Sequence, residues 1–188
     1  NYIFEDFLNQ KIKPKDLNSL KKIKLVAVGN IKKQKNYIYL IKAFELLTEY
    51  NISLDIFGIE DENFNMLKKE IDEYKLPIVF KGTSTAIDKM FTNYDMYVMC
   101  SLYEGFGIAV IEAMASGLPL LLSDLPVFHE VTFDNALFFD IKDISAFVKL
   151  IKELFEGKHD LNQLSLKGVE IANQNYTKEI YLKKLFAI

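Results

Sequence analysis

Short apolar runs alternate with segments of helical periodicity along most of this chain. The runs are three to five residues long, and the first two end at Gly29 and Gly58. Between the runs, apolar residues recur every three or four positions, which is typical of amphipathic helices. The pattern predicts six strands, at 24–28, 53–57, 77–80, 96–100, 120–122 and 136–139. It predicts helices at 37–49, 63–74, 87–93, 108–116, 144–155, 161–172 and 177–186.

This alternation determines the expected fold class. Because the predicted strands are almost continuously apolar and alternate with helices, we expect a parallel sheet covered by helices on both faces. The expected fold is α/β, a doubly wound, Rossmann-like sheet with strand order 3-2-1-4-5-6. In such a sheet, ligands bind at the switch point, beyond the carboxyl ends of strands 1 and 4. The sequence therefore predicts a site formed by the loops 29–36 and 101–107.

Composition narrows the classes of partner and compartment. The chain has 188 residues, of which 50% are hydrophobic and 26% are charged, so it suits one globular domain. Its net charge of −3 argues against a basic field that attracts nucleic acid or anionic lipid. No apolar stretch approaches the ~20 residues that span a bilayer. The single cysteine, Cys100, lies in an apolar run and is expected to be a small buried hydrophobic residue, in keeping with a reducing compartment.

The loop after the first strand offers one candidate phosphate ligand. Gly29 permits a tight turn and a close approach of ligand to backbone. Lys35 comes just before a predicted helix, where an ammonium is a suitable partner for a phosphate. A lysine-rich face exposed to solvent would produce the same pattern, so this loop alone is weak evidence.

The loop after the fourth strand carries more chemistry. Gly105 and Gly107 bracket Phe106 just before a predicted helix, whose free N–H groups and dipole favour an anionic or hydroxyl-rich ligand. Glu104 and Glu112 flank this helix start, and a carboxylate can accept hydrogen bonds from two adjacent hydroxyls. As isolated loop and surface charges they would mean little. Together with the glycines they suit a nucleotide sugar, with one carboxylate on the sugar and the other on the ribose.

Three segments together resemble the signature of family 4 retaining glycosyltransferases. They are Ser101-Leu-Tyr-Glu-Gly-Phe-Gly, Glu112-Ala-Met-Ala-Ser-Gly-Leu-Pro and Leu122-Ser-Asp, and the resemblance runs from about Lys24 to Phe139. It implies the two-domain GT-B fold, with 23–188 as the C-terminal, donor-binding domain. Residues 1–22 are then expected to be the remnant of an interdomain linker, and the N-terminal acceptor domain is expected to lie outside this chain.

The resemblance also implies residue roles. It places Glu104 at the donor sugar as the catalytic residue, Glu112 on the ribose hydroxyls and Lys35 on the diphosphate. The turn that contains Thr83 and Ser84 is expected to border the base. The sugar and diphosphate are expected to meet the backbone of Gly105, Phe106, Gly107 and Ile108, and the nucleotide to lie near Gly29 and Asn30.

One position departs from the family pattern. Family members usually carry an arginine after the glycine of the first strand, as part of a clamp on the diphosphate, whereas this chain has Asn30. A neutral amide supplies no charge, and a charge-assisted hydrogen bond contributes about 1.5–3 kcal/mol. We therefore expect reduced donor affinity unless Lys32 or Lys33 compensates.

No metal site or other cofactor is expected. The sequence has no Asp-x-Asp motif, which agrees with a leaving diphosphate stabilised by lysine and a helix dipole. His129 lacks an evident partner acid in the sequence and is not expected to be catalytic, and His159 is expected on a surface loop. By the resemblance, a catalytic histidine would belong to the other domain.

The sequence thus favours a hexosyltransferase that uses a UDP- or GDP-sugar with retention, in glycan or cell-surface polysaccharide synthesis. We expect a cytoplasmic protein, in contact with the inner face of the membrane only through the N-terminal domain. Three alternatives stay open: a related GT-B epimerase or phosphorylase, a nucleotide-sugar-binding module without transfer, and a receiver-like signalling domain. The last would need an acidic cluster after the first strand, where this chain has Gly29 and Asn30.

Overall fold

The computed structural model describes residues 17–18, 21–61 and 63–186. The strands are β1 (Ile23–Val28), β2 (Ile52–Phe57), β3 (Ile78–Gly82), β4 (Met96–Met99), β5 (Leu120–Ser123) and β6 (Leu137–Phe139). The helices are α1 (Tyr37–Glu45), α2 (Phe64–Tyr74), α3 (Ile87–Phe91), α4 (Ile108–Ala115), α5 (Pro126–Thr132), α6 (Ile144–Phe155), α7 (Leu161–Asn175) and α8 (Lys178–Phe186).

The six strands form one sheet in the order β3-β2-β1-β4-β5-β6, which confirms the predicted order. Every neighbouring pair in this sheet is parallel. The order reverses between β1 and β4, so the loops after these two strands lie side by side at the carboxyl edge. The fold therefore creates the predicted switch point.

Alternate residues of the central strands pack into two separate apolar layers. In β4, Met96 and Val98 pack with residues of α1, α2 and α6, whereas Tyr97 and Met99 pack with residues of α4, α5 and α7. Both layers are buried, which explains why the strands read as continuous apolar runs. Cys100 is fully buried, as expected, and burial raises the pKa of its thiol.

Helix α7 packs against α4, the helix that follows the second candidate loop. The Ser165 hydroxyl donates to the carbonyl of Gly117 at 2.6 Å. Gly168 faces Met114 so closely that an added Cβ would lie 3.0 Å from the Met114 side chain. The C-terminal end of α4 is thus fixed against a neighbouring helix.

Several helix boundaries differ from the sequence pattern, and one helix was not predicted. The predicted helix 37–49 ends at Glu45, because Leu46 and Leu47 donate to carbonyls three residues back and close the helix as a turn. The pattern did not predict α5. This helix has only seven residues and begins at Pro126, a favourable first position, so its buried side chains give too short a period to detect.

Two described residues upstream of the first strand belong to the packed domain. Leu17 is buried in the core, and the Asn18 side chain accepts hydrogen bonds from the backbone of Leu161 and Asn162. Lys21 and Lys22, at the end of the predicted linker, are exposed, and its parts 1–16 and 19–20 lie outside the described residues.

Within the described part of the chain, no helix has both the length and the apolar character needed to cross a bilayer.

Candidate functional site

The loops that follow β1, β2 and β3 are hydrogen-bonded to one another at the carboxyl edge. Gly29 donates to the carbonyl of Phe57, and Gly58 donates to the carbonyl of Gly82. A Cβ on Gly58 would lie 2.1 Å from the Gly29 carbonyl oxygen, so only glycine fits there. The close contact fixes the backbone at the start of the candidate site. The sequence analysis noted Gly58 only as the end of a strand and missed this role.

Lys35 lies across the Gly29 turn. It ends a single 3₁₀ turn (Lys33–Lys35), and a Cβ on Gly29 would lie 2.6 Å from the Lys35 Cε atom. The turn is held from below, since the Cys100 thiol donates to the Lys35 carbonyl at 3.1 Å. The Tyr37 hydroxyl donates to the Gly29 carbonyl at 2.9 Å. Buried groups therefore fix the path of the Lys35 side chain toward the second loop.

The Lys35 ammonium meets Glu104 across the switch point. Its Nζ atom lies 2.7 Å from the Glu104 Oε1 atom, and the two side chains are only 18% and 10% exposed. The Ser101 hydroxyl donates to the same Oε1 atom at 2.8 Å. Ser101 is fixed in turn, because the Ser123 hydroxyl donates to its carbonyl. The structure thus joins the two predicted loops through one buried ion pair.

The backbone reinforces this junction. The Gln34 amide donates to the carbonyl of Tyr103 at 2.8 Å, and the Leu102 N–H donates to the carbonyl of Gln34 at 2.8 Å. These two bonds hold the 3₁₀ turn against the loop after β4. The sequence assigned no role to any of these three residues, because their contact depends on the pairing of β1 with β4.

Helix α4 begins at the second candidate loop. Gly107 is the N-terminal cap with a φ of 77°, a left-handed conformation that favours glycine, and no side chain caps this helix start. Gly105 lies in open space, where an added Cβ would meet nothing within 4 Å. The Phe106 ring packs edge-on against Tyr176, with centroids 6.1 Å apart. Ile108 is exposed at the helix start. This segment therefore presents accessible backbone N–H groups beside Lys35 and Glu104.

Glu112 lies in α4 and is partly buried. Burial raises the pKa of its carboxyl group to about 7. Among the described residues, no group donates a hydrogen bond to this carboxylate. Burial, and then the charges of Tyr37, Glu104 and Glu112, raise the pKa of the fully buried Tyr97 hydroxyl. Both predicted carboxylates therefore act on the same buried tyrosine.

Asn30 has a structural contact of its own. Its side-chain oxygen accepts a hydrogen bond from the backbone N–H of Ile59 at 3.2 Å. The Ile31 N–H donates to the Ile59 carbonyl at 2.9 Å, so Asn30 strengthens the link between the loops after β1 and β2. Lys32 and Lys33 are exposed on the same loop.

The turn proposed to border the base lies at the carboxyl end of β3. Thr83 is exposed, and the Ser84 hydroxyl accepts from the backbone N–H of Ala86 at 3.2 Å. Among the described residues, no hydrogen bond joins Thr83 or Ser84 to Lys35, Glu104 or Glu112. Since β3 is the edge strand, these two residues lie at the far side of the candidate site.

His129 has partner acids, contrary to the expectation from the sequence. Its Nε2 atom lies 2.7 Å from Asp124 and its Nδ1 atom 2.6 Å from Asp134, while the ring stacks on Phe138. The hydrogen bonds that the charged ring donates to Asp124, and then to Asp134, raise the pKa of His129. The spacing of five residues on each side does not reveal this arrangement, because Asp134 reaches the ring through a left-handed turn after α5. His159 lies in a loop and contacts Glu153 at 3.1 Å.

The described residues contain no cluster of three or more histidine, cysteine or acidic side chains that could hold a metal ion. The chemical resources of the site are one ammonium, two carboxylates and the N–H groups at the start of α4.

Comparison with known proteins gives a single family. The family model of glycosyl transferases group 1 matches residues 9–170. The chain is 35% identical over 107 residues to a poly(glycerol-phosphate) alpha-glucosyltransferase of Bacillus subtilis, covering 55% of this chain and 16% of the relative. It is 30% identical over 133 residues to an O-antigen chain mannosyltransferase of Salmonella typhimurium, covering 69% of this chain and 37% of the relative.

Solved structures agree on the fold. A glycosyltransferase from Rickettsia africae superposes with a TM-score of 0.84 at 17% identity, over 97% of this chain and 53% of that one. The pneumococcal O-GlcNAc transferase in complex with UDP and GlcNAc gives a TM-score of 0.78 at 25% identity, over 89% of this chain and 35% of that one. The chain thus spans about half or less of the length of these proteins. On the match over most of its length, the chain belongs to the family of glycosyl transferases group 1.

Proposed function

We propose that this chain is the donor-binding domain of a family 4 retaining glycosyltransferase, which transfers a hexose from a UDP- or GDP-sugar in cell-surface polysaccharide synthesis. The observation that carries the proposal is the convergence of Lys35 and Glu104 at the start of α4, with an ion pair of 2.7 Å beyond the carboxyl ends of β1 and β4. A cation, a hydroxyl acceptor and free N–H groups at one point suit a sugar diphosphate.

Different residues bind the diphosphate, the sugar and the ribose of the donor. The Lys35 ammonium and the backbone N–H groups near Gly105 and Gly107 bind the diphosphate and stabilise its charge as it leaves. Glu104 accepts from the sugar hydroxyls and stabilises positive charge at the anomeric carbon. Glu112 accepts from the ribose hydroxyls, which supply the hydrogen-bond donors that its carboxylate lacks among the described residues.

No metal is required in this proposal. The ammonium and the helix dipole stabilise the negative charge of the leaving diphosphate, a role that a divalent cation has in other enzymes. Another domain of the same protein presents the hydroxyl of the acceptor substrate, and the leaving diphosphate assists its attack on the same face of the sugar by taking its proton. That geometry results in retention of the anomeric configuration.

The test is binding by the isolated chain. UDP, GDP and their common sugar conjugates are titrated against it by calorimetry and thermal unfolding, with EDTA and with Mg²⁺. At one hundred times its Kd, the right nucleotide adds about 2.7 kcal/mol to the free energy of unfolding. We expect the same shift in both buffers, and a melting temperature unmoved by every nucleotide would contradict donor binding.

Lys35→Ala identifies the phosphate contact. We expect this variant to bind nucleoside diphosphate about tenfold more weakly or worse and to bind the nucleoside with unchanged affinity, because the ammonium contacts only phosphate. Lys42→Ala is the matched control, since Lys42 is exposed on α1. An equal loss of affinity for both ligands in Lys35→Ala would show that the fold, and not the phosphate contact, had changed.

A second candidate function is donor binding without transfer. Asn30 favours it, because its amide is neutral and is engaged with the Ile59 backbone, so it adds no charge to a diphosphate clamp. Radiolabelled sugar transfer by the full-length protein separates the two functions. Product formation supports the transferase, and tight donor binding without product supports the binding module.

A further inference from the structure

We infer that Glu104 competes with the donor's diphosphate for the Lys35 ammonium, and that this competition makes the site prefer a complete nucleotide sugar over the free nucleoside diphosphate. The inference deepens the proposed function and rests on it. Its basis is a contact that the sequence pattern does not contain, the ion pair between two loops 69 residues apart.

The contact is built into the site. Lys35 reaches Glu104 along a path set by Gly29, whose missing side chain leaves room for the lysine stem. On the other side, the Ser101 hydroxyl donates to the same carboxylate oxygen at 2.8 Å. Both charged side chains are mostly buried, so solvent and salt screen their attraction only weakly.

The charges explain the competition. Lys35 and Glu104 together are neutral, so the pair offers a diphosphate no net attraction while it stays intact. A phosphate that takes the ammonium leaves the carboxylate close to another anion, which is unfavourable in a partly buried site. Without that carboxylate, the same ammonium would bind a diphosphate more tightly.

A sugar removes most of this penalty. Its hydroxyls can donate to Glu104 in place of the ammonium, so that Lys35 turns to the phosphate and the carboxylate keeps its hydrogen bonds. The free nucleoside diphosphate has no such donors. It also carries nearly one more negative charge at neutral pH, because its terminal phosphate is not esterified. Glu104 therefore favours donor entry and release of the spent nucleotide.

The experiment compares Glu104→Gln with the wild type. Calorimetry is run with UDP and a UDP-sugar. If the titration described above shows that the chain prefers guanine nucleotides, GDP and a GDP-sugar are used instead. Glutamine keeps the shape and removes the charge, so we expect the nucleoside diphosphate to bind about three- to tenfold tighter. The nucleotide sugar should bind equally well or more weakly, and the preference for the complete donor should fall by about the same factor or more.

Two further variants control the result. Glu112→Gln makes the same chemical change at the ribose, which both ligands share, and should leave the preference between them unchanged. Ser101→Ala removes the hydroxyl that helps to hold Glu104, and it should shift the preference in the same direction by a smaller factor. If Glu104→Gln does not fold, the result for Ser101→Ala decides whether Glu104 competes with the diphosphate.

The outcomes separate this inference from the proposed function. Unchanged or weaker nucleoside diphosphate binding by folded Glu104→Gln overturns the competition and leaves donor binding intact. A wild type that binds neither nucleotide nor nucleotide sugar overturns both. Tightening for the diphosphate alone, with nucleoside affinity unchanged, supports the competition.

Discussion

Glu112 shows at the scale of one residue how function and stability oppose each other. Its carboxylate lies in α4 with no hydrogen-bond donor among the described residues, and burial raises its pKa to about 7. In the unfolded chain the same group titrates near ~4.3. The folded state therefore binds the proton more tightly, and stability falls as pH rises from the unfolded pKa to the folded one. Above that window the full cost of a buried charge is present.

Glu112→Gln should stabilise the domain at pH 8 by about 1–3 kcal/mol and have little effect at pH 4, below the unfolded pKa. The amide cannot ionise, so the cost of burying the charge disappears only where the glutamate is charged. The same variant should weaken every ribose-containing ligand. Urea unfolding at both pH values measures the first effect, and calorimetry measures the second. An equal change in stability at both pH values would mean that packing, and not charge, dominates.

His129 also has a raised pKa, but here hydrogen-bond partners favour the charged form instead of burial opposing it. Hydrogen bonds that the charged ring donates to Asp124, and secondarily to Asp134, raise its pKa. Because the folded state favours the proton, the contribution to stability is complete below the unfolded pKa and is lost as pH rises through the folded pKa. His129→Gln should therefore destabilise the domain more at pH 6 than at pH 9. Asp134→Asn removes one partner and should show a smaller difference, and a loss independent of pH would refute this account.

At the scale of elements, the loops after β1, β2 and β3 form one connected layer. Its closest contact is between Gly58 and the Gly29 backbone, where no side chain fits. In contrast, Gly105 lies at the carboxyl edge with open space around it. The two glycines therefore have different roles. Gly58 allows the loops to pack closely, and Gly105 leaves the backbone accessible to a ligand.

Gly58→Ala and Gly105→Ala should separate these roles. A methyl group 2.1 Å from a carbonyl oxygen must displace backbone, so Gly58→Ala should cost more than about 2 kcal/mol of stability. Gly105→Ala should change stability by no more than about 0.5 kcal/mol, yet weaken nucleotide-sugar binding. Thermal unfolding and calorimetry of both variants supply the comparison. Nearly equal melting temperatures for the two would contradict it.

At the scale of the whole molecule, the side chains proposed to bind the nucleotide sugar all lie at the carboxyl edge of the sheet. Lys35 follows β1, Glu104 follows β4, and Glu112 lies about one turn into α4, while α2 and α6 cover one face of the sheet away from these loops. A donor should therefore stabilise the domain unevenly, with the carboxyl edge affected most.

Hydrogen exchange with and without the bound nucleotide sugar measures this. At short exchange times, we expect added protection in 29–36 and 101–112 and little change in α2 or α6, because the ligand touches only the first two segments. Long exchange times report global unfolding and should show protection throughout. Unchanged exchange in 101–112 at short times, with saturating ligand, would place the donor elsewhere.

The amino-acid sequence by itself determined the strand order, the switch point and the choice of loops. These follow from local patterns: apolar runs mark strands buried on both faces, and a glycine pair before a helix marks an accessible helix start. The family match over 9–170 agrees with that prediction. Such patterns depend on neighbours within a few residues, so they can be recognised without knowing the fold.

Only the tertiary structure decided which groups meet. The pairing of β1 with β4 brings Lys35 to Glu104, and the short seven-residue α5 brings His129 between two aspartates. It also determined that Asn30 bonds a neighbouring loop and that Gly58 abuts Gly29. The physical reason is that these contacts join residues on different loops or across irregular turns. Their distances depend on strand register and helix packing, which the burial pattern constrains only to within several ångströms, while a hydrogen bond requires tenths of one.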